Sequence, residues 1–231
     1  MTNLTDEVLN PLLARDPMGP RITYYDDATG ERIELSAATL QNWVAKTANL
    51  LRDDLGAGPG TRVAVLLPAH WQTAAVLLGI WWVGAEVVAT GPADIALCTR
   101  SRLEEADAAA EGGEVAVLSL DPFGKPAEDL PIGVTDYATA VRVHGDQFVP
   151  ERSAGAALEG ASVDEALAAA RARAESLGVD SDDRVMSLAP LSVDDLLAVL
   201  LSGASLIMVA NPDPALLERR RETEKATRTL E

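Results

Sequence analysis

Cysteine is almost missing from this 231-residue chain: Cys98 stands alone, which excludes a disulfide framework and any thiolate metal cluster. Histidine is nearly as scarce, and His70 and His144 lie too far apart to form a short ligand motif. Lysine is rare as well, with only Lys46, Lys125 and Lys225 among 19 basic residues. Against these stand 36 acidic residues and a net charge of -17, so no nucleic acid and no anionic membrane is expected as a partner. The opening MTNLTDEVLNPLLARD has no basic stretch ahead of an apolar core, so no signal peptide is expected. The longest apolar stretches, 73–85 and 196–210, fall short of the roughly 18 residues that a membrane span needs. A cytoplasmic location is the resulting expectation. G-x-S-x-G is absent, and no G-x-G-x-x-G follows a strand, which removes the signatures of a nucleophile elbow and a dinucleotide site.

What is present is a body rich enough in apolar residues, 48%, to bury a core. The spacing predicts a helix over 2–14, a hairpin RITYYD-DATGE-RIELS, and a Ser36-capped helix running to about Leu55. GAGPG at 56–60 reads as a helix stop and turn, because it precedes a strand rather than following one. Strands follow at 62–68, 86–90 and 114–121, with helices at 71–84 and over SRLEEADAAAEG between them. From Pro122 to about Ser162 the pattern blurs, and only TAVRVHGDQFV suggests a hairpin. Helix 163–177, strand 184–190, helix 193–202, strand 205–211 and a charged helix from Pro214 to about Thr227 complete the chain. Glu218 and Glu222 stand at helical spacing from Arg221 and Lys225, as on a solvated face. This alternation predicts an α/β fold: a three-layer, mostly parallel Rossmann-like sheet with helices on both faces, plus the N-terminal hairpin. Residues 1–231 are read as one such domain. An echo links LGAGPGTRVAVLLP…LLGIWWVGAEVV to LGVDSDDRVMSLAP…LLSGASLIMV, as recurrent βαβ units do.

These stretches resemble the AMP-forming adenylate-forming enzymes, which include the acyl-CoA synthetases. ELSAATLQNWVAKTANLLRDDLGAGPGTRVAVLLP and LLGIWWVGAEVVATGP match that family's first block, and RARAESLGVDSDDRVMSLAPLS with LLSGASLIMV its second. The resemblance covers only the opening part of a protein typically about twice this long. It implies a phosphate loop of the form T-S-G-T-T-G-x-P-K-G, whose amides, hydroxyls and lysine would hold ATP phosphates. At that place the chain reads ERSAGAALEGASVDEAL over 151–167. Ser153, Gly155, Gly160 and Ser162 remain as small or hydroxyl residues, while Glu159, Asp164 and Glu165 put negative charge where phosphates would sit. At an effective dielectric of about 20, one such contact at 4 Å costs around 4 kcal/mol. Where the family often has P-L-x-H, this chain has PLSV, with Val193 at the histidine position. The adenine- and magnesium-binding motifs and the catalytic lysine of the family have no counterpart.

Open parallel sheets bind ligands at the carboxyl ends of strands. That places His70 and Trp71, after strand 62–68, and Ser192 and Asp194, after strand 184–190, as candidate ligand-binding residues. Packing at a helix start and N-capping are the competing readings of the same residues. Trp81 and Trp82 read as core on an all-apolar helix, and Cys98 as an inert thiol. No catalytic residue, no cofactor and no metal is expected. The reading leans away from an enzyme: a degenerate acyl-CoA synthetase-like protein, binding a small acyl- or nucleotide-like ligand or acting as an interaction module. Its alternative is half of a split AMP-forming ligase that needs a partner chain for ATP. A homodimer or another protein partner is expected, because a domain cut from a larger architecture exposes surface.

Overall fold

A computed structural model of the protein describes residues 3–89, 91–150, 155–188 and 192–230. The chain opens with helix α1 (Leu4–Arg15), the hairpin of β1 (Pro20–Asp26) and β2 (Glu31–Ser36), and helix α2 (Ala37–Asp53). The hairpin closes because Gly30 takes a φ of 77° and its amide bonds Asp26 O at 2.8 Å. Ser36 Oγ accepts the Thr39 amide at 3.1 Å, capping α2 as its sequence predicts. GAGPG ends that helix, with Ala57 N reaching back to Leu51 O at 2.7 Å.

Next come β3 (Arg62–Leu66), α3 (Trp71–Trp82), β4 (Glu86–Val88), β5 (Ile95–Thr99), α4 (Leu103–Ala110) and β6 (Glu114–Leu118). The middle of the chain holds β7 (Thr135–Asp136), α5 (Tyr137–Ala140), β8 (Ala156–Leu158) and β9 (Ala161–Ser162). The chain closes with α6 (Val163–Leu177), β10 (Arg184–Ser187), α7 (Val193–Leu201), β11 (Ser205–Ala210), α8 (Pro214–Thr223) and β12 (Arg228–Leu230).

The chain divides into two compact units, each with its own sheet. One comprises residues 1–6, 41–67 and 75–166 and carries a seven-stranded sheet in the order β7-β6-β5-β3-β4-β8-β9. All its neighbouring strands run parallel except the β8–β9 pair. Ala64, Leu66, Ala96, Cys98, Val115 and Val117 pack there against Leu103, Ala106 and Ala110 of α4. Burial of each larger side chain contributes roughly 1.5–3 kcal/mol. The other unit comprises residues 7–40, 68–74 and 167–231, with a five-stranded sheet in the order β12-β10-β11-β1-β2. Only the edge strand β2 is antiparallel there, and Met186 of β10 packs with Ile207 and Val209 of β11 and with Tyr25 of β1. The class is therefore mixed α/β with mostly parallel sheets and helices on their faces, with the expected parallel strands shared between two sheets. Each half of the sequence echo supplies one βαβ unit: β3-α3-β4 in the first sheet and β10-α7-β11 in the second. The turn glycines Gly84 and Gly203 of the two halves share a φ of 84°. Among the described residues no helix is long and apolar enough to cross a membrane.

Three local expectations are corrected. Strand β5 went unrecognised because its apolar run is short and follows a Gly-Pro-Ala-Asp turn. Asp94 fixes its start beside β3, accepting the Arg62 amide at 2.8 Å and donating its own amide to Arg62 O at 2.8 Å. The hairpin expected over TAVRVHGDQFV is replaced by α5 and a 3-10 turn at Val141–Val143. Asp136 caps α5 through the Thr139 amide at 2.9 Å. Lys46 Nζ and Asn49 Nδ2 hold the carbonyls of His144 and Gly145, at 2.6 and 2.9 Å, so side chains of α2 take the place of a strand partner. Finally, the charged helix stops at Thr223 and residues 228–230 form β12. It is anchored by Arg220, bidentate on Asp27 at 2.9 and 2.5 Å and stacked 4.1 Å over the Tyr25 ring, rather than by pairs along its own face.

Candidate functional site

The stretch at the place where the family resemblance implies a phosphate loop comes first. Residues 151–154, Ser153 among them, lie outside the described residues; from Ala156 the chain forms a hairpin whose turn is Glu159-Gly160, with φ of 47° and 81°. β8 joins the sheet beside β4 through Val87 and Leu158, so the turn lies against residues 86–89. Its amides are spent within the protein. Glu86 Oε1 accepts the Gly160 amide at 2.7 Å, and Glu165 Oε2 accepts the Ser162 amide and hydroxyl at 2.9 and 2.7 Å. Glu159 in turn accepts the Ala89 amide. Ser162 and Glu165 also form a capping box for α6, the Ser162 Oγ accepting the Glu165 amide at 3.3 Å. The Ser162 hydroxyl and amide hold the Glu165 carboxyl below its usual range. Carboxylates of the chain itself therefore occupy the Gly160 and Ser162 donors, and a magnesium–triphosphate group does not fit the described part of this hairpin. Among the described residues no group of three or more His, Cys, Asp or Glu is placed to hold a metal ion.

The four residues singled out from the sequence lie in the unit with the five-stranded sheet. His70 is 2% exposed and sits at the start of α3, where its Nδ1 accepts the Gln72 amide at 3.1 Å. That bond fixes the neutral tautomer with its proton on Nε2, which faces Glu31 Oε1 at 3.8 Å. Burial pushes the imidazole down to about 4, with the charge of Asp26 opposing. The Tyr24 ring meets it edge-on at a centroid distance of 4.4 Å, and Trp71 packs at 5.6 Å and is itself buried. Ser192 is exposed, and its Oγ caps α7 by accepting the Asp195 amide at 3.0 Å while donating to Asp195 Oδ2 at 2.8 Å. Asp194 is exposed in the first turn of α7. His70 and Trp71 are thus brought together and enclosed, whereas Ser192 and Asp194 face solvent.

Trp81 and Trp82 are core residues, as expected. Their indole N–H groups donate to Ala157 O at 2.8 Å and Asp6 Oδ1 at 3.0 Å. Cys98 is fully buried on β5, and burial pushes its thiol up to about 11 despite the opposing charges of Arg102 and Arg100. A thiol so buried and so fully protonated is a poor nucleophile.

An open cleft of about 600 Å³ lies elsewhere, at the carboxyl ends of the adjacent parallel strands β5 and β6. Thr99, Arg100 and Ser101 line one side, Ser119, Asp121 and Lys125 the other. Asp121 winds the loop after β6 by accepting the amides of Phe123 and Lys125 at 2.9 and 3.1 Å, which presents Lys125 to the cleft. Arg100 donates only a long bond to Asp129 O at 3.3 Å, and Lys125 Nζ has no hydrogen bond or ion pair among the described residues. Hydroxyls and two cations around a crevice at strand ends can receive an anionic group. Sequence reasoning missed these residues because it missed β5; with that strand in place, T-R-S after it and the distant Lys125 would have been the signal.

The AMP-binding enzyme family model matches residues 14–128. A Mycobacterium tuberculosis (strain H37Rv) protein named as a TIGR03089 family protein is 63% identical over 239 residues, covering 99% of this chain and 98% of that one. Pyochelin synthetase PchF of Pseudomonas aeruginosa (strain UCBPP-PA14) is 30% identical over 196 residues, 74% of this chain and 10% of the synthetase. Among solved structures, the Brucella canis acyl-CoA synthetase superposes with a TM-score of 0.79 at 21% identity, covering 99% of this chain and 47% of that one. Acetoacetyl-CoA synthetase from Streptomyces lividans does so with a TM-score of 0.74 at 20% identity, covering 98% and 42%. The chain thus spans about half the length of these solved relatives.

Proposed function

Because this chain belongs to the AMP-binding superfamily and matches the N-terminal part of its synthetases, we propose that it is a non-catalytic acyl-CoA synthetase-like module. It binds a small acyl- or nucleotide-like ligand, in the cytoplasm, and does not adenylate alone. One observation carries the reading: Glu86 and Glu165 fill the Gly160 and Ser162 amides of the hairpin that stands in place of the phosphate loop. A backbone cradle already holding carboxylates repels phosphate instead of stabilising it. The ligand's anionic group lies in the β5–β6 cleft against Arg100 and Lys125, while His70, Trp71 and Ser192 serve packing and capping.

Isothermal titration with ATP, AMP, an acyl-CoA and an acyl-adenylate analogue tests this, on the native chain and on Lys125→Ala. Binding of at least one ligand at millimolar Kd or tighter, weakened about tenfold or more by Lys125→Ala, is expected. Silence from all four leaves only the interaction module, and pyrophosphate exchange by the chain alone overturns the non-catalytic reading.

The superposition on the fold of the Brucella acyl-CoA synthetase supports a second reading, half of a split ligase whose partner supplies the phosphate loop and lysine. Pull-down from the native cell followed by pyrophosphate exchange on the recovered complex separates the two. A homodimer is the assembly proposed in the first case, and a monomeric mass by light scattering at high concentration argues against it.

A further inference from the structure

The unit with the five-stranded sheet holds a second, separate cleft, of about 340 Å³, at the amino-terminal ends of β1, β10 and β11. Arg21, the second residue of β1, forms part of its wall and is 7% exposed. A buried cation is ordinarily paired, because taking an isolated charge out of water costs several kcal/mol. Arg21 is not paired in this way. Its Nη1 donates to Gly203 O at 3.2 Å, its Nε is buried without a partner, and no carboxylate lies within ion-pair distance among the described residues. The nearest acid, Asp16, turns its carboxylate to the amides of Met18 and Gly19 at 3.2 and 2.9 Å.

The other charges around this cleft are largely settled. Arg15 holds Asp182 at 2.6 Å, Arg228 holds Asp183 at 2.6 Å, and Arg184 is bonded to Glu224. Lys225, also in the wall, has no ion pair or side-chain hydrogen bond among the described residues. Two cations without an ion pair, Arg21 and Lys225, therefore share one small cleft, whose wall also holds the Asp16 carboxylate, in a chain whose net charge is -17. Ser181 and Ser205 add hydroxyls to the wall, the Thr227 hydroxyl is held between the Arg184 amide at 2.9 Å and Asp183 Oδ1 at 2.7 Å, and no aromatic side chain lines the cleft.

We propose that this cleft is a binding site for a small hydroxylated oxyanion, such as a sugar-phosphate-like or hydroxy-acid molecule, held by the Arg21 guanidinium and Lys225. The missing carboxylate partner of Arg21 is supplied by the ligand's phosphate or carboxylate, and the hydroxyls of the wall meet the ligand's own. The volume lies at the lower end of the range for small-molecule sites, and the lack of an aromatic ring disfavours a stacked base. The site is independent of the β5–β6 cleft and of the reading attached to it.

The test is an amide-resolved NMR titration at constant ionic strength, adding inorganic phosphate, glycerol phosphate or malate in exchange for chloride. Saturable shifts at residues 19–22, 203–206 and 224–227 are expected, with phosphate and malate arms reporting which oxyanion is preferred. Loss of one charge-assisted contact weakens binding by roughly 10- to 150-fold, so exposed Lys225→Ala weakens it at least tenfold. Arg21→Met abolishes it, and without added anion this variant is as stable as the parent or more so, because an unpaired buried charge is gone. If Arg21→Met does not fold, Lys225→Ala alone decides. Shifts reproduced by chloride, shifts mapping only to Arg100 and Lys125, or unchanged affinity in Lys225→Ala overturn the site.

Discussion

Glu86 and Gly160, 74 positions apart in sequence, meet through a 2.7 Å hydrogen bond from the glycine amide to the carboxylate. The amide lies in a tight turn over the stretch where the sequence resemblance implies a phosphate loop. Here a strand residue has filled it with a charge of the same sign as the phosphate.

That turn depends on its glycine. With φ at 81° and no atom within 4 Å of a built Cβ, Gly160→Ala suffers only the left-handed backbone penalty, about 1–2 kcal/mol. Gly58→Ala, also in open space but without a positive φ, is expected to be neutral or slightly stabilising. Urea denaturation of the two variants beside the parent checks the contrast.

His70 sets an acid limit. Its folded value is lowered from 6.5 to about 4, so the unfolded chain binds the proton first. The stabilisation is present above pH 6.5 and is lost as pH falls toward 4, an effect on the order of 3 kcal/mol for one buried histidine. Denaturant midpoints measured between pH 7 and 4 should fall in the parent and fall less in His70→Asn. An imidazole NMR titration with a midpoint near 6.5 would refute the enclosed placement.

Glu224 anchors the end of the chain. Burial alone would raise its carboxyl, but Tyr25, Arg184 and Arg32 donate to it and bring it down to about 2. Its contribution is therefore present above pH 4.5 and lost as pH falls toward 2. Glu224→Ala should cost about 2–3 kcal/mol near neutrality, below the full range for buried pairs because Arg32 is partly in solvent. Increased hydrogen exchange over 228–230 should accompany it, since β12 loses its neighbouring anchor.

Cys98 should resist an aromatic disulfide reagent in the native protein and react stoichiometrically in denaturant. Its thiol is fully buried and pushed up to about 11, so almost no thiolate exists at neutral pH. Rapid native labelling would contradict the placement of β5 inside the sheet.

Much of this fold is legible in the sequence where neighbouring residues decide the structure. Ser36 capping α2, Gly30 turning the hairpin and GAGPG ending a helix all act over a few positions, and each stands where the sequence puts it. Strand β5 is not legible, because four apolar residues after a Pro-containing turn carry no periodicity; pairing with β3 and β6, with Asp94 bonded to Arg62 across 32 positions, commits them to the sheet. TAVRVHGDQFV alternates like a strand yet folds as a helix and a strap, since Lys46 and Asn49 satisfy its carbonyls and leave no partner to pair with.

The candidate site divides in the same way. Composition alone settles the solitary cysteine, and the residues themselves put Glu159, Asp164 and Glu165 at the place where the family resemblance implies a Gly/Thr/Lys cradle. Which acid meets which amide, that His70 is enclosed while Ser192 faces water, and that Arg21 and Lys225 share a cleft were decided by the tertiary structure. Those relations join positions far apart in the chain, and only burial and sheet register bring them within hydrogen-bond or ligand reach.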